Sequence, residues 1–201
     1  MKIAINDAEF LVPDWDKLLI LLVPFFRGDA IMKMENNNRK GCTMRDIINI
    51  NDNWRFIRED AGLPASYPAH WEYVDLPHTW NAVDGNDGNG SYYRGTCWYA
   101  TTFETPKQPL AGGRVFVEFL GANSEATVYV NGQKVAYHEG GYSTFRADIT
   151  DVCKEDDENL LAVSVCNAAN DFTYPQNADF TFYGGLYRDV NISVCRTPTL
   201  T

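Results

Sequence analysis

The stretch that decides the fold lies near the C-terminus and reads Asp179-Phe-Thr-Phe-Tyr-Gly-Gly-Leu-Tyr-Arg-Asp-Val-Asn-Ile-Ser-Val194. It begins as a polar aromatic loop, passes through a glycine pair, and then alternates polar and apolar side chains over residues 189–194. Alternation with a period of two predicts a half-buried β-strand. A loop that enters a strand through glycines is typical of an all-β domain.

The chain from Trp71 onwards has the same character, because short runs of β-branched and aromatic residues are separated by turn signals. The runs predict strands at residues 72–76, 97–104, 114–120, 126–130, 133–138, 143–149, 160–167 and 189–194. The dipeptide Asn131-Gly132 predicts a two-residue hairpin, since both central positions of a type I′ turn need a positive φ. Helical periodicity is nearly absent, so the pattern predicts a β-sandwich or jelly roll.

Length and charge narrow the possible functions. A chain of 201 residues, 45% of them hydrophobic, suits one all-β domain. A catalytic (β/α)8 barrel needs about 250 residues by itself, so we expect none here. The formal net charge of −10 argues against nucleic acid and membrane partners, because both require a basic patch. Neutral sugars stay compatible with this charge.

The cysteines show no metal or redox pattern. No CxxC pair and no histidine at a metal-site spacing accompanies them, and their number is odd. We therefore expect free thiols and, from them, a reducing, cytoplasmic location. The five cysteines are Cys42, Cys97, Cys153, Cys166 and Cys195.

Residues 1–43 differ from the rest of the chain. The apolar run at 18–26 is too short to span a bilayer, and acidic residues precede it where a signal peptide carries positive charge. Residues 31–42 are polar and without pattern. We expect 1–43 to be a non-domain extension or a mis-assigned start, with the domain at 44–201 and a natural start at Met44. The alternative is a genuine N-terminal arm whose apolar run docks on a partner or on further domains of a longer chain.

Four blocks of sequence, in this order, resemble glycoside hydrolase family 2. They are 74–81 (VDLPHTWN), 92–103 (YYRGTCWYATTF), 118–135 with the turn at 140–145, and 185–190 (GLYRDV). Together they identify residues from about Met44 to Val194 as similar to the N-terminal sugar-binding β-sandwich of a β-galactosidase-like member. The resemblance implies a galactose-binding-like jelly roll, followed in the family by an immunoglobulin-like domain and the catalytic barrel.

The resemblance also implies a non-catalytic accessory role toward a β-galactoside or related sugar. Retaining glycosidases use two carboxyl groups about 5 to 5.5 Å apart, and in this family both belong to the barrel. Glu118, Glu125 and Glu139 are therefore expected to be strand or turn carboxylates, and the chain alone to be inactive. Two alternatives are an autonomous carbohydrate-binding module and a purely structural domain that supports the barrel and an oligomer; a homo-oligomer stays open.

Two loop residues are the candidate sugar contacts. Asp179 stands six residues before Gly185, where the resemblance implies an aspartate that enters the sugar subsite and helps bind a monovalent cation such as sodium. Asn89 corresponds to an asparagine that β-galactosidases also extend into that subsite. The resemblance allows magnesium as well in the full-length enzyme. The alternative for Asp179 is a turn former.

The remaining polar and aromatic candidates are expected to be structural. His78 and His138 lie at no recognised ligand spacing, and the glycine-rich stretch 84–90 lacks the final glutamate of a calcium-binding EF-hand loop. Arg188 and Asp189 are predicted to pair with neighbouring groups at the strand entrance. A last group of aromatic residues could stack on sugar or contact an adjoining domain: Tyr174, Phe180, Phe182 and Tyr183.

Overall fold

The computed structural model describes residues 2–5, 8–11, 44–82, 84, 92–106, 113–154, 157–171, 173 and 183–196. The chain divides into two compact units, Met1–Arg39 and Lys40–Thr201. The first unit contains an antiparallel pair, β1 (Lys2–Ile5) with β2 (Ala8–Leu11). The first strand predicted from the sequence is 72–76, so β1 and β2 were not predicted, because a run of four residues offers too few alternations to be recognised.

The described residues of the second unit form ten strands in two antiparallel sheets, which confirms the predicted all-β sandwich. One sheet has the order β10-β7-β12-β3 and the other the order β5-β4-β6-β11-β8-β9. Within the described ranges no helix is long and apolar enough to cross a membrane. The strands are β3 (Met44–Asn49), β4 (Trp54–Ile57), β5 (Glu72–Val74), β6 (Thr96–Glu104), β7 (Arg114–Phe119), β8 (Glu125–Val130), β9 (Gln133–Glu139), β10 (Phe145–Asp148), β11 (Glu158–Cys166) and β12 (Val190–Arg196).

The core follows from the alternation along these strands. In β7 every second residue is buried, and in β8 the residues Ala126, Val128 and Val130 are buried while their neighbours are partly exposed. The side chains between the sheets form one apolar cluster, which excludes water and supplies most of the driving force for folding. Its largest fully buried members are Trp54, Tyr99, Phe119, Ile149, Leu161, Leu186 and Ile192.

The predicted hairpin is confirmed. Val130 and Gln133 are register partners at its end, and Asn131 and Gly132 have φ values of 51° and 83°. All eight predicted strands are present, with ends shifted by a few residues. The positive φ at both turn positions is the geometry that the Asn-Gly pair favours.

Candidate functional site

The two predicted sugar contacts, Asn89 and Asp179, lie outside the described residues, as do three of the predicted loop aromatics, Tyr174, Phe180 and Phe182. The structure describes the chain on both sides of the segments that carry them. Asp84 and Tyr93 flank the segment with Asn89, and we call them the first loop root. Asn167, at the end of β11, and Gly184 flank the segment with Asp179, and we call them the second loop root.

Asn81 joins the two loop roots. Its side chain is fully buried, and its Nδ2 donates to Asp84 Oδ2 at 2.8 Å and to the Tyr93 carbonyl at 3.1 Å. Its Oδ1 accepts from Asn167 Nδ2 at 3.1 Å and from the Gly184 amide at 2.9 Å. An asparagine side chain has two donor and two acceptor positions, so all four are used. We call these five residues the loop-root network.

Further bonds close the network. Asn167 Oδ1 accepts from the Gly95 amide at 2.9 Å, and its Nδ2 also donates to the Tyr93 carbonyl at 3.1 Å. Asp84 Oδ2 accepts a second bond, from the Tyr93 amide at 3.1 Å, while the Arg58 guanidinium lies 3.7 Å from Oδ1. A buried carboxylate is tolerated when charge and hydrogen bonds compensate it. Asp84 has both.

The glycine pair of the opening motif is required by close packing at the second loop root. A Cβ on Gly184 would lie 2.3 Å from Cζ2 of Trp80 and 2.8 Å from Nδ2 of Asn167. Gly185 has a φ of 124°, and a Cβ there would lie 2.6 Å from the His78 carbonyl oxygen. Only glycine allows this approach of two backbone segments.

The rest of the motif fixes the entry to β12. The Leu186 carbonyl accepts from the His78 amide at 2.8 Å. Arg188 Nη1 donates to the carbonyls of Leu120 and Tyr142, each at 3.3 Å. Asp189 Oδ1 accepts from Asn51 Nδ2 at 2.9 Å, so the predicted pairing of Arg188 and Asp189 with neighbouring groups is confirmed.

His78 and His138, the two histidines considered as candidate ligands, have structural partners. His78 Nδ1 lies 2.8 Å from the Tyr99 hydroxyl, and burial lowers the pKa of His78 while the charge of Glu72 acts in the opposite direction. His138 Nε2 lies 3.0 Å from both the Gly140 carbonyl and the Ser143 hydroxyl. In the part of the chain that the structure describes, no group of three or more His, Cys, Asp or Glu side chains is placed to hold a metal ion.

The three glutamates lie in strands, as predicted. Glu118 of β7 is buried, and its two oxygens accept from Arg45 Nη2 at 2.6 Å and from Arg146 Nε at 2.7 Å. Glu125 and Glu139 are register partners in β8 and β9, a pairing that the sequence did not predict. The Tyr137 hydroxyl lies 3.1 Å from one carboxylate and 2.8 Å from the other at the exposed surface. The hydrogen bond to Glu139 is the main reason why the pKa of Tyr137 is raised, and burial and the hydrogen bond to Glu125 add to it.

Tyr142, Tyr187 and Arg188 form a tyrosine patch, and Tyr187 lies three residues after Gly184 of the second loop root. Tyr142 and Tyr183 are 58% and 45% exposed, and the Tyr183 carbonyl accepts from Asn123 Nδ2 at 2.7 Å. The rings of Tyr142 and Tyr187 meet edge to face with their centroids 6.5 Å apart. The Arg188 guanidinium carbon lies 5.4 Å from the Tyr187 ring centroid. Exposed tyrosines beside an arginine are typical of binding surfaces.

Residues 42–198 match the family model described as "Glycosyl hydrolases family 2, sugar binding domain". The matched region contains both loop roots, Asn81 and the Gly185–Val190 motif. The chain belongs to glycosyl hydrolase family 2, through the sugar-binding domain of that family.

The relatives of this chain are named as β-glucuronidases or β-galactosidases. A putative β-glucuronidase of Formosa agariphila is 39% identical over 71% of this chain and 17% of its own length. A β-galactosidase of Thermoanaerobacter pseudethanolicus is 33% identical over 75% of this chain and 21% of its own length. Among solved structures, the FMN-binding β-glucuronidase from Facaelibacterium prausnitzii L2-6 is 52% identical, with a TM-score of 0.68 over 76% of this chain and 23% of that one. The chain thus spans about a fifth of the length of these three relatives.

Sequence reasoning missed the loop-root network. Asn81 lies in the quoted block 74–81 without a role, and Asn167 ends a predicted strand. The sequence offered one signal for a buried polar residue, an asparagine directly after apolar residues. Asn81 follows Trp80, and Asn167 follows an apolar run. A fully buried asparagine needs hydrogen-bond partners, and the sequence does not name them.

Proposed function

We propose that this chain is a non-catalytic sugar-binding domain of a longer family 2 glycosidase and supplies loop residues to that enzyme's sugar subsite. The observation that carries the proposal is the loop-root network. The segments with Asn89 and Asp179 start and end at residues that hydrogen-bond to one side chain, Asn81. Two candidate sugar contacts far apart in sequence are thereby attached to one rigid support.

Asp179 is the residue proposed to bind the sugar, and Asn89 is the second proposed contact. A carboxylate can accept two charge-assisted hydrogen bonds from adjacent hydroxyl groups, which suits a sugar ring. The proposal includes a monovalent cation such as sodium at Asp179, since an oxygen ligand of this type suits hard cations. Magnesium belongs to the proposal only for the longer enzyme.

The proposed substrate of the longer enzyme is a β-glucuronide or β-galactoside. The relatives are named for these two activities, and the two sugars differ in the group at C6, a carboxylate or a hydroxymethyl, and in the configuration at C4. A domain that contacts only the hydroxyl groups at C2 and C3 would serve both. Asp179 would repel a nearby carboxylate, so its contact is placed on the hydroxyl side of the ring.

The chain by itself is expected not to hydrolyse glycosides. Glu125 and Glu139 are close in space, but they lie on an exposed hairpin, and the Tyr137 hydroxyl occupies the position between them. The measurement is release of nitrophenol from nitrophenyl β-galactoside and β-glucuronide by the purified chain. Turnover that copurifies with the chain and disappears in Glu125→Gln or Glu139→Gln would contradict the proposal.

The decisive test uses a chimera in which residues 44–196 replace the matching segment of the Facaelibacterium prausnitzii β-glucuronidase, its 52% identical relative. Asp179→Ala should lower kcat/KM by about tenfold or more, the loss of a charge-assisted contact, with little change in melting temperature. The matched control is Asp171→Ala, an exposed aspartate before the same segment. Loss of stability with unchanged kinetics would assign Asp179 to the fold. A chimera without activity would contradict the proposal as a whole.

The tyrosine patch favours a second candidate, an autonomous carbohydrate-binding module. Exposed aromatic rings can stack on sugar rings, and Arg188 lies beside them. Titration of the chain with galactose, lactose and glucuronate by calorimetry separates the two candidates. Binding in the millimolar range or tighter that is lost in Tyr142→Ala favours the module. The absence of heat favours a domain that supplies only part of a site.

A further inference from the structure

The Asn81 amide donates to the first loop root and accepts from the second, so the partners at the two roots favour one orientation of the amide. The Asp84 carboxylate only accepts hydrogen bonds, and it lies 2.8 Å from Asn81 Nδ2. The Gly184 amide only donates, and it lies 2.9 Å from Asn81 Oδ1. A flip of the Asn81 amide would place two acceptors together at Asp84 and two donors together at Gly184, both of them buried.

We propose that Asn81 is a positioning residue that couples the two loop roots, with Asp84 as the group that fixes its orientation. The inference rests on the proposed function in one respect, that the segments attached to these roots contact sugar. The coupling itself rests only on the described contacts. Without Asp84 the Asn81 Nδ2 loses its charged acceptor and keeps the Tyr93 carbonyl alone at the first loop root. The orientation that points Oδ1 at Gly184 is then less strongly favoured, because each lost buried partner costs about 1–3 kcal/mol.

The surroundings of Asp84 support this assignment. Arg58 is half exposed and lies 3.7 Å from Asp84 Oδ1, while both bonds into the protein are made to Oδ2. One oxygen therefore faces the network and the other faces the cation. An asparagine at position 84 could place its amide oxygen at the Oδ2 position and keep both network bonds, which provides a conservative variant.

The test is residue-specific amide hydrogen exchange, measured by NMR on the 201-residue chain. Asp84→Ala should speed exchange at the Gly184 amide by about tenfold or more, the effect of losing a buried hydrogen bond, although Asp84 is not the acceptor of that amide. Exchange at Val163, in the centre of β11, reports global opening and should change much less. Asp84→Asn should restore slow exchange at Gly184.

A matched control lies at the other end of β11. Asn131→Ala removes a partly buried amide there without touching Asp84, so exchange at Gly184 should change only as much as exchange at Val163. If Asp84→Ala leaves Gly184 unchanged, or changes Gly184 and Val163 by the same factor, the coupling is overturned.

A kinetic measurement distinguishes a failure of this inference from a failure of the proposed function. In the chimera described above, Asp84→Ala should lower kcat/KM for nitrophenyl glucuronide and Asp84→Asn should restore it. Faster exchange at Gly184 with unchanged kinetics would leave the coupling standing and contradict the sugar-site role of the attached segments. Unchanged exchange would overturn the coupling whatever the kinetics show.

Discussion

Two buried asparagine networks lie at opposite ends of the β6–β11 strand pair. At one end Asn167 follows the last residue of β11, and the loop-root network joins Asn81 to Gly184 across 103 positions of sequence. At the other end Asn159 is the second residue of β11, and its Oδ1 accepts from Asn131 Nδ2 across 28 positions. We call Asn131, Asn159 and their backbone partners the hairpin network.

The two networks use the same amide chemistry on different partners. In the hairpin network, Asn131 donates to the Val152 carbonyl at 2.8 Å and accepts from the Leu160 amide at 3.1 Å, and Asn159 accepts from the Lys154 amide at 2.7 Å. These partners are backbone groups, which need hydrogen-bond partners where they are buried. The loop-root network adds a charged partner, Asp84, and ties distant segments. The difference teaches that a buried amide closes a local turn at one end and fixes the relative position of two loops at the other.

The largest effect is expected from Gly184→Ala at the loop-root end. The new Cβ would lie 2.3 Å from the Trp80 ring and 2.8 Å from Asn167, so overpacking should cost about 3 kcal/mol or more. The control is Gly132→Ala in the hairpin, where no atom lies within 4 Å of the new Cβ and a left-handed alanine costs about 1 kcal/mol. Urea unfolding of both variants provides the comparison. Equal losses would show that Gly184 is not held tightly against Trp80.

A smaller loss is expected from Asn131→Val at the hairpin end. Valine disfavours the φ of 51° and removes the side-chain bonds to Val152, Asn159 and Leu160, so about 2 to 3 kcal/mol is expected from strain and unsatisfied groups. Gly132→Val meets strain alone and should cost about 1 to 2 kcal/mol. Thermal unfolding measures both. A melting temperature unchanged by either variant would contradict the tight turn, and equal losses would contradict the role of the Asn131 side chain.

Local patterns were sufficient to predict β5 to β12 and the hairpin, because alternation and the Asn-Gly turn depend on neighbouring residues alone. No range was predicted for β3 or β4, which lie before residue 71. The β1–β2 pair was missed because each strand is only four residues long. Gly184 and Gly185 were singled out by the motif, but the reason for them, the approach of Trp80 and the His78 carbonyl, depends on residues about a hundred positions away.

The candidate site was predictable only as a family resemblance. Asn89 and Asp179 were chosen from motif offsets, and they stay predictions because they lie outside the described residues. The support beneath their segments required the fold. Nothing in the sequence near Asn81 shows that its four hydrogen-bonding positions are shared between Asp84, Tyr93, Asn167 and Gly184.

A modest effect of pH is expected at the loop-root end. Burial lowers the pKa of His78, so its protonation is less favourable in the folded state than in the unfolded state. The stability contribution of neutral His78 is therefore complete above the unfolded pKa of about 6.5 and is lost as the pH falls below it. Urea unfolding at pH 7.5 and 5.5 should show a smaller decrease for His78→Gln than for the unchanged chain. An identical decrease in both would contradict this account.

The smallest effect is expected from removal of residues 1–43. The contacts that define the loop-root and hairpin networks all lie between Arg58 and Gly184, and Lys40–Thr201 forms a compact unit with its own core. The shortened chain should therefore unfold cooperatively, with a melting temperature close to that of the full chain, and Gly184→Ala and Asn131→Val should cost as much in it as before. Calorimetric melting of the shortened chain and both variants makes the measurement. If the cooperative transition is lost, the apolar run at 18–26 belongs to the core, and the N-terminal residues form an arm of the domain rather than an extension of it.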